Sequence, residues 1–207
     1  MPKLVIFRHG ETEWNERGLL TGRADISLTK SGREQAFDAG RMMRHIRFDR
    51  AYSSTLTRAM TSLEIALEAT APTNDHLKDA SGGWRYYAAE SLQERDIGAF
   101  SGQPNTGDVF RHWPKLYDEP IKGGESTKDM VERVEELYRN EIRPAVLDGE
   151  NVLVVAHAGV LIAFKVILGY LTTQQAPQPK ERVPNAVPWV IEFDDDGRNI
   201  NDYLIQA

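Results

Sequence analysis

Two histidines stand at chemically loaded positions, each just past an apolar run. Leu4-Val5-Ile6-Phe7 stops at Arg8-His9-Gly10-Glu11, and Val152-Leu153-Val154-Val155-Ala156 stops at His157-Ala158-Gly159. A neutral imidazole can attack phosphorus, and an adjacent guanidinium can hold the phosphoryl oxygens while it does so. Arg8 is such a cation, and Arg58, in Ser53-Ser54-Thr55-Leu56-Thr57-Arg58-Ala59, is a second. Taken singly, each piece also fits a hydrogen-bonded core histidine or a surface arginine. Taken together, at the ends of three predicted strands, they point to phosphoryl transfer through a phosphohistidine.

The elements that must position these groups alternate along the chain. Residues 4–7 read as a buried strand, 29–44 as a helix, 50–53 as a short strand and 55–69 as a second helix. Glu125-Ser126-x-x-Asp129 has the look of a helix start, and that helix should run to about residue 148. Residues 151–156 form a strand, 159–168 a helix and 188–193 a late strand. The Asp194-Asp195-Asp196 run that follows reads as a solvated turn rather than a cation site. Residues 70–121, rich in Gly, Pro and Trp, read as an irregular insertion with one or two short helices, serving as a lid or specificity wall. The expected fold is α/β: a three-layer αβα sandwich with a largely parallel central sheet, in one domain over residues 1–207. In such sheets ligands bind at the carboxyl ends of the strands. A helix opening near Gly159 adds free backbone N–H groups that favour an anion. Arg58, in the first turn of its helix, opposes the helix dipole unless an anion sits there too.

Composition narrows the partners. A net charge of −6 argues against broad nucleic-acid binding, which needs a basic face. The absence of cysteine excludes disulfides and cysteine-ligated metals and fits a reducing compartment. No secretory leader is legible at Met1-Pro2-Lys3, and no apolar run reaches membrane-spanning length. The expectation is a cytoplasmic protein acting on a small phosphorylated metabolite, without membrane contact. A homo-oligomer stays open, with Trp84 and Tyr86-Tyr87 as candidates for a dimer contact or simply for packing under the lid.

Five motifs, in order, carry a resemblance. Arg8-His9-Gly10-Glu11-Thr12-x-x-Asn15, Ser53-Ser54-x-x-x-Arg58-Ala59, Leu92-x-Glu94-Arg95-x-x-Gly98, Gly124-Glu125-Ser126 and Ala156-His157-Ala158-Gly159 resemble the successive motifs of the histidine phosphatase superfamily, which includes cofactor-dependent phosphoglycerate mutases and many phosphomonoesterases. The resemblance implies a phosphoglycerate mutase-like fold and the following roles. His9 is the nucleophile, and Arg8, Arg58 and His157 hold the transferring phosphoryl group, His157 best as a cation. Asn15 and the backbone N–H of Ala158 assist, and Thr21 and Gly22 match a substrate-contacting turn of the mutases. Glu94 gives a proton to the leaving oxygen and later takes one from water or an acceptor alcohol. No metal is implied.

Departures from the mutase pattern favour hydrolysis. Ile97 stands where mutases have Tyr, and Gln103-Pro104-Asn105 stands where a Lys is expected. Arg111, His112 and Lys115 are the basic residues nearby, with no Arg-Arg pair to clamp a distal anion. Ala158-Gly159 replaces Gly-Asn, and Pro184-Asn185-Ala186-Val187-Pro188 departs from Thr-Gly-Val-Pro. Thr21-Gly22 and Val187-Pro188 remain mutase-like. The preferred reading is hydrolysis of a small phosphomonoester, with no cofactor. The alternative is a phosphoglycerate mutase primed by 2,3-bisphosphoglycerate, and the second alternative is a non-catalytic phosphate-binding module.

Overall fold

The computed structural model describes residues 1–106, 114–177 and 183–205. Its frame is a six-stranded sheet in the order β3-β2-β4-β1-β5-β6. The strands are β1 (Lys3–Arg8), β2 (Arg50–Ser54), β3 (Tyr87–Ala89), β4 (Val152–Ala156), β5 (Trp189–Phe193) and β6 (Asn199–Leu204). The first four run parallel, while β5 is antiparallel to β1 and β6 to β5.

The central strands are uninterrupted apolar runs because both their faces are covered. Along β1, Leu4 and Ile6 enter one core, and Val5 and Phe7 the other. Along β4, Val152, Val154 and Ala156 alternate in the same way with Leu153 and Val155. One face is covered by α4 (Thr127–Leu137), its continuation through a π turn (Tyr138–Ile142) into α5 (Arg143–Leu147), and α6 (Ala158–Ile167). The other face is covered by α2 (Lys30–Met43) and α3 (Thr57–Ala69). The result is the expected three-layer αβα arrangement around a mostly parallel sheet. The π turn lies just ahead of Pro144, whose missing N–H breaks the regular helical ladder.

The helix starts follow local chemistry. Ser126 and Asp129 form a reciprocal capping box, and Thr29 caps α2 through the N–H of Gly32. A short helix, α1 (Glu13–Glu16), follows the first histidine loop and opens on a Thr12–Asn15 capping box.

Two strands were not legible in the sequence. β3 lies inside the segment expected to be irregular, and pairs with β2 through Tyr52, Ser53 and Ser54. Elsewhere among its described residues, that segment holds three single 3₁₀ turns. β6 is the other, and all six of its residues are exposed. The acidic run is a turn, as expected: Asp194 Oδ1 accepts from the backbone N–H of Asp196 and of Arg198. Arg111 and His112 lie outside the described residues. Among the described residues, no helix is long and apolar enough to cross a membrane.

Candidate active site

The sheet brings the three strand ends to one edge. Arg8 pairs in register with Ala156 across β1 and β4, and Ser53 with Val155 across β2 and β4. The N–H of His9 then donates to Ala156 O at 3.0 Å, so the two histidine loops leave neighbouring strands together. The imidazoles meet edge to face, with centroids 5.1 Å apart. Both are buried, His9 at 3% exposure and His157 at 0%.

Chemistry fixes the His9 tautomer. Nδ1 lies 2.7 Å from Gly10 O, which can only accept, so Nδ1 carries the proton. Nε2 is left with its lone pair, and Arg58 Nε donates to it at 3.2 Å. Burial first, then the charges of Arg58 and Arg8, hold His9 well below the usual histidine pKa, against the opposing pull of the Gly10 carbonyl. This is a neutral imidazole with one oriented lone pair. The loop is pinned on two further sides. Ser62 Oγ accepts from Gly10 N at 3.0 Å and donates to Arg58 O at 2.7 Å. Asn185 Nδ2 donates to His9 O at 2.8 Å.

Arg58 is 1% exposed. Its guanidinium donates to Ala24 O at 2.6 Å and Gly22 O at 2.7 Å, as well as to His9. Burial pulls its pKa down to about 10, with Glu94 and Asp25 opposing and Arg8 assisting, which leaves it a cation at neutral pH. Arg8 Nη1 donates to Val183 O at 3.0 Å.

His157 caps α6, and its Nε2 lies 2.8 Å from Ser54 Oγ, which also accepts the Leu56 N–H at 3.2 Å. Its Nδ1 is buried with no hydrogen-bond partner among the described residues. Burial, then Arg58, His9, Arg8 and Arg133, push the ring well below its ordinary pKa. That favours the neutral ring, whereas the cation expected from the sequence is the form a bound phosphate favours. A doubly charged phosphoryl group would reverse that balance and satisfy Nδ1.

Glu94 reaches the same place from a loop. Its Oε1 accepts from Arg95 N at 2.8 Å and Gly159 N at 3.1 Å, and Oε2 lies 3.3 Å from Gly159 N. The loop is held by Arg133, which donates to Ser91 O at 2.6 Å and Glu94 O at 3.3 Å and forks onto Glu125 at 2.6 and 3.1 Å. Glu125 also accepts from Asp96 N at 3.0 Å.

These groups share a cavity of about 700 Å³. Every site residue expected from the sequence lines it, except His157, which lies in the wall behind its neighbours Ala158 and Gly159. Asn15 commits Oδ1 to the Thr12 N–H at 3.2 Å, which turns its Nδ2 donor elsewhere. Thr21 Oγ1 is buried without a partner among the described residues, and Gly22 offers its carbonyl to Arg58. Beyond this cluster the lining is largely apolar: Leu19, Leu20, Ile97, Met130, Ile162 and Val183. Arg95 is the further cation there among the described residues. Reasoning from sequence missed Ser54, Ser62, Asn185 and Arg133 as positioning groups. Ser54 and Asn185 fell inside quoted stretches, but Ser62 and Arg133 carried no signal that adjacent residues could supply.

A family model described as the histidine phosphatase superfamily (branch 1) matches residues 4–205. The chain belongs to that superfamily. Its relatives include a 2,3-bisphosphoglycerate-dependent phosphoglycerate mutase of Parvibaculum lavamentivorans, 37% identical over 207 residues, with 95% of this chain and 93% of that one covered. A protein of the same description from Methylobacterium sp. (strain 4-46) is 40% identical over 185 residues, covering 84% of each. Among solved structures, the chain resembles a mycobacterial glucosyl-3-phosphoglycerate phosphatase with a TM-score of 0.77 at 23% identity, covering 99% of this chain and 97% of that one. It also resembles a putative alpha-ribazole-5'-P phosphatase from Escherichia coli, with a TM-score of 0.76 at 22% identity, over 100% and 96% of the two chains. At those identities the structural likeness speaks for the fold alone. Like other histidine phosphatases, the chain is an enzyme.

Proposed function

We propose that this histidine phosphatase hydrolyses a small phosphomonoester through a phosphohistidine on His9. The observation that carries the reading is the His9 imidazole, neutral and buried, with Nδ1–H on Gly10 O and the Nε2 lone pair beside Arg58. Nε2 attacks phosphorus, the bond to the ester oxygen breaks with its electron pair, and Glu94 gives that oxygen a proton. Water then attacks the phosphohistidine, giving its proton to Glu94, and the N–P bond breaks to release phosphate. Arg8, Arg58, His157, Asn15 and the first-turn N–H of Ala158 surround the equatorial oxygens, where charge gathers. Thr21, Gly22 and residues of the 70–121 segment bound the leaving group.

Among the described residues the lining beyond the phosphoryl cluster is largely apolar, with Arg95 as its further cation, and this favours hydrolysis over mutase chemistry. A mutase must retain a doubly phosphorylated intermediate and exclude water, and Ile97 offers no grip on a second anion. The second reading, a phosphoglycerate mutase primed by 2,3-bisphosphoglycerate, is favoured by the description of the relatives at 37–40% identity. A paired assay separates them: phosphate release from a panel of phosphomonoesters, and interconversion of 3- and 2-phosphoglycerate with bisphosphoglycerate as primer. Release without interconversion is expected. Fast interconversion with little free phosphate would replace hydrolysis by the second reading. Turnover surviving in His9→Ala would overturn both.

A further inference from the structure

We infer that Gly159 is a positioning residue for Glu94: the missing side chain leaves the seat in which the carboxyl group docks on the start of α6. This rests on the role proposed above for Glu94 as proton donor to the leaving oxygen.

A Cβ built on Gly159 would lie 2.3 Å from Glu94 Oε1 and 2.9 Å from Met130 Sδ. The space a side chain would need is already filled by the acid itself. Gly159 N–H, one of the helix N–H groups with no partner four residues back, donates to that acid instead. The docking also makes the two carboxyl oxygens unequal. Oε1 takes two N–H groups, from Arg95 at 2.8 Å and Gly159 at 3.1 Å, whereas Oε2 has the longer 3.3 Å contact with Gly159. In a carboxylic acid the oxygen that accepts N–H bonds is the carbonyl oxygen, and the other carries the proton. Oε1 is then the anchored oxygen and Oε2 the proton carrier. During phosphoryl transfer the Nε2–P bond forms, the P–O bond to the leaving group breaks, and the proton on Oε2 moves to that oxygen.

In this structure a Cβ at position 159 would push the acid out of this seat. Both obstructing atoms are the far ends of flexible side chains, so Gly159→Ala displaces Glu94 and leaves the helix intact. Ala also favours a helix over Gly by about 1 kcal/mol, so the variant should fold.

The test compares alkyl phosphates, whose alkoxide leaves only with a proton, with p-nitrophenyl phosphate, whose phenolate leaves without one. The readout is kcat/KM, which reports formation of the phosphoenzyme. For Gly159→Ala we expect a loss of about 100-fold on alkyl phosphates and about threefold on the aryl ester, within the range a general acid supplies. Equal loss on both substrates, or no loss on either, overturns the proposal. Glu94→Asp is an independent arm: it keeps a carboxyl group but is one methylene too short to reach Gly159 N, so the same selective loss is expected. A parental alkyl-to-aryl ratio in that variant also counts against the seat. Glu94→Gln separates the two levels. If it spares alkyl phosphates, the underlying role of Glu94 fails; if it is selectively impaired while Gly159→Ala is not, only the role of Gly159 fails.

Discussion

Gly10 and Gly32 lie back to back where the first histidine loop crosses the start of α2. A Cβ on Gly10 would fall 2.0 Å from Gly32 O, and one on Gly32 would fall 2.0 Å from Glu11 O. The obstructing atoms are backbone, which cannot swing aside. The helix therefore sets the depth at which His9 is held, and two absent side chains permit it.

Gly10→Ala should consequently cost about 2–3 kcal/mol of stability, as overpacking does. Movement of the His9 backbone should lower kcat/KM by about 100-fold, as ångström-scale misplacement of a reacting group does. Urea unfolding and steady-state kinetics check the pair. Parental stability in this variant would mean that the loop and helix are not in contact.

Arg58→Lys keeps the charge but cannot keep the geometry. The guanidinium serves Gly22 O, Ala24 O and His9 Nε2 at once, and a single ammonium cannot span the three. A loss of about 10²–10³ in kcat/KM is expected, with about 1–3 kcal/mol of stability lost from buried carbonyls left unpaired. Activity within a few-fold of the parent would show that charge alone suffices.

Ser54→Ala tests the orientation of His157. The hydroxyl lies 2.8 Å from His157 Nε2 and is the acceptor for Leu56 N–H. Losing it should lower kcat/KM by about tenfold, the worth of a hydrogen bond near 1.4 kcal/mol. Affinity for inorganic phosphate or vanadate should fall with it. Unchanged vanadate affinity would remove His157 from phosphoryl binding.

Acid should destabilise the enzyme. Both histidines are held below their unfolded pKa, mainly by burial. The unfolded chain therefore binds more protons than the folded one as pH falls below about 6.5, and stability is lost in that direction. The limiting slope is about 1.4 kcal/mol per pH unit for each histidine. Thermal unfolding between pH 7.5 and 5 should show a steeper fall for the parent than for His157→Gln. Equal slopes would mean that His157 is already protonated in the folded site.

What the sequence determined by itself was local. Apolar runs that end abruptly at His9 and His157 identify buried strands and the edge where chemistry sits, because both signals lie within a few residues. The capping pattern of Ser126 and Asp129 is equally local, and the structure has it where expected. β6 was not legible because its exposed residues, Asn199–Leu204, have no core-facing pattern, and its place comes from the ladder with β5. β3 is three residues long and depends in the same way on β2.

The tertiary structure alone decided how the site is held and charged. Asn185 fixes the His9 carbonyl from 176 residues away, Ser54 orients His157 across 103, and Arg133 ties down the Glu94 loop across 39. No pattern in adjacent residues encodes such pairs, because they exist only once the sheet has brought its strand ends together. The neutrality of His157 has the same origin. Its residue type leaves either protonation state open at neutral pH, and burial, with three arginines and His9 nearby, favours the neutral one.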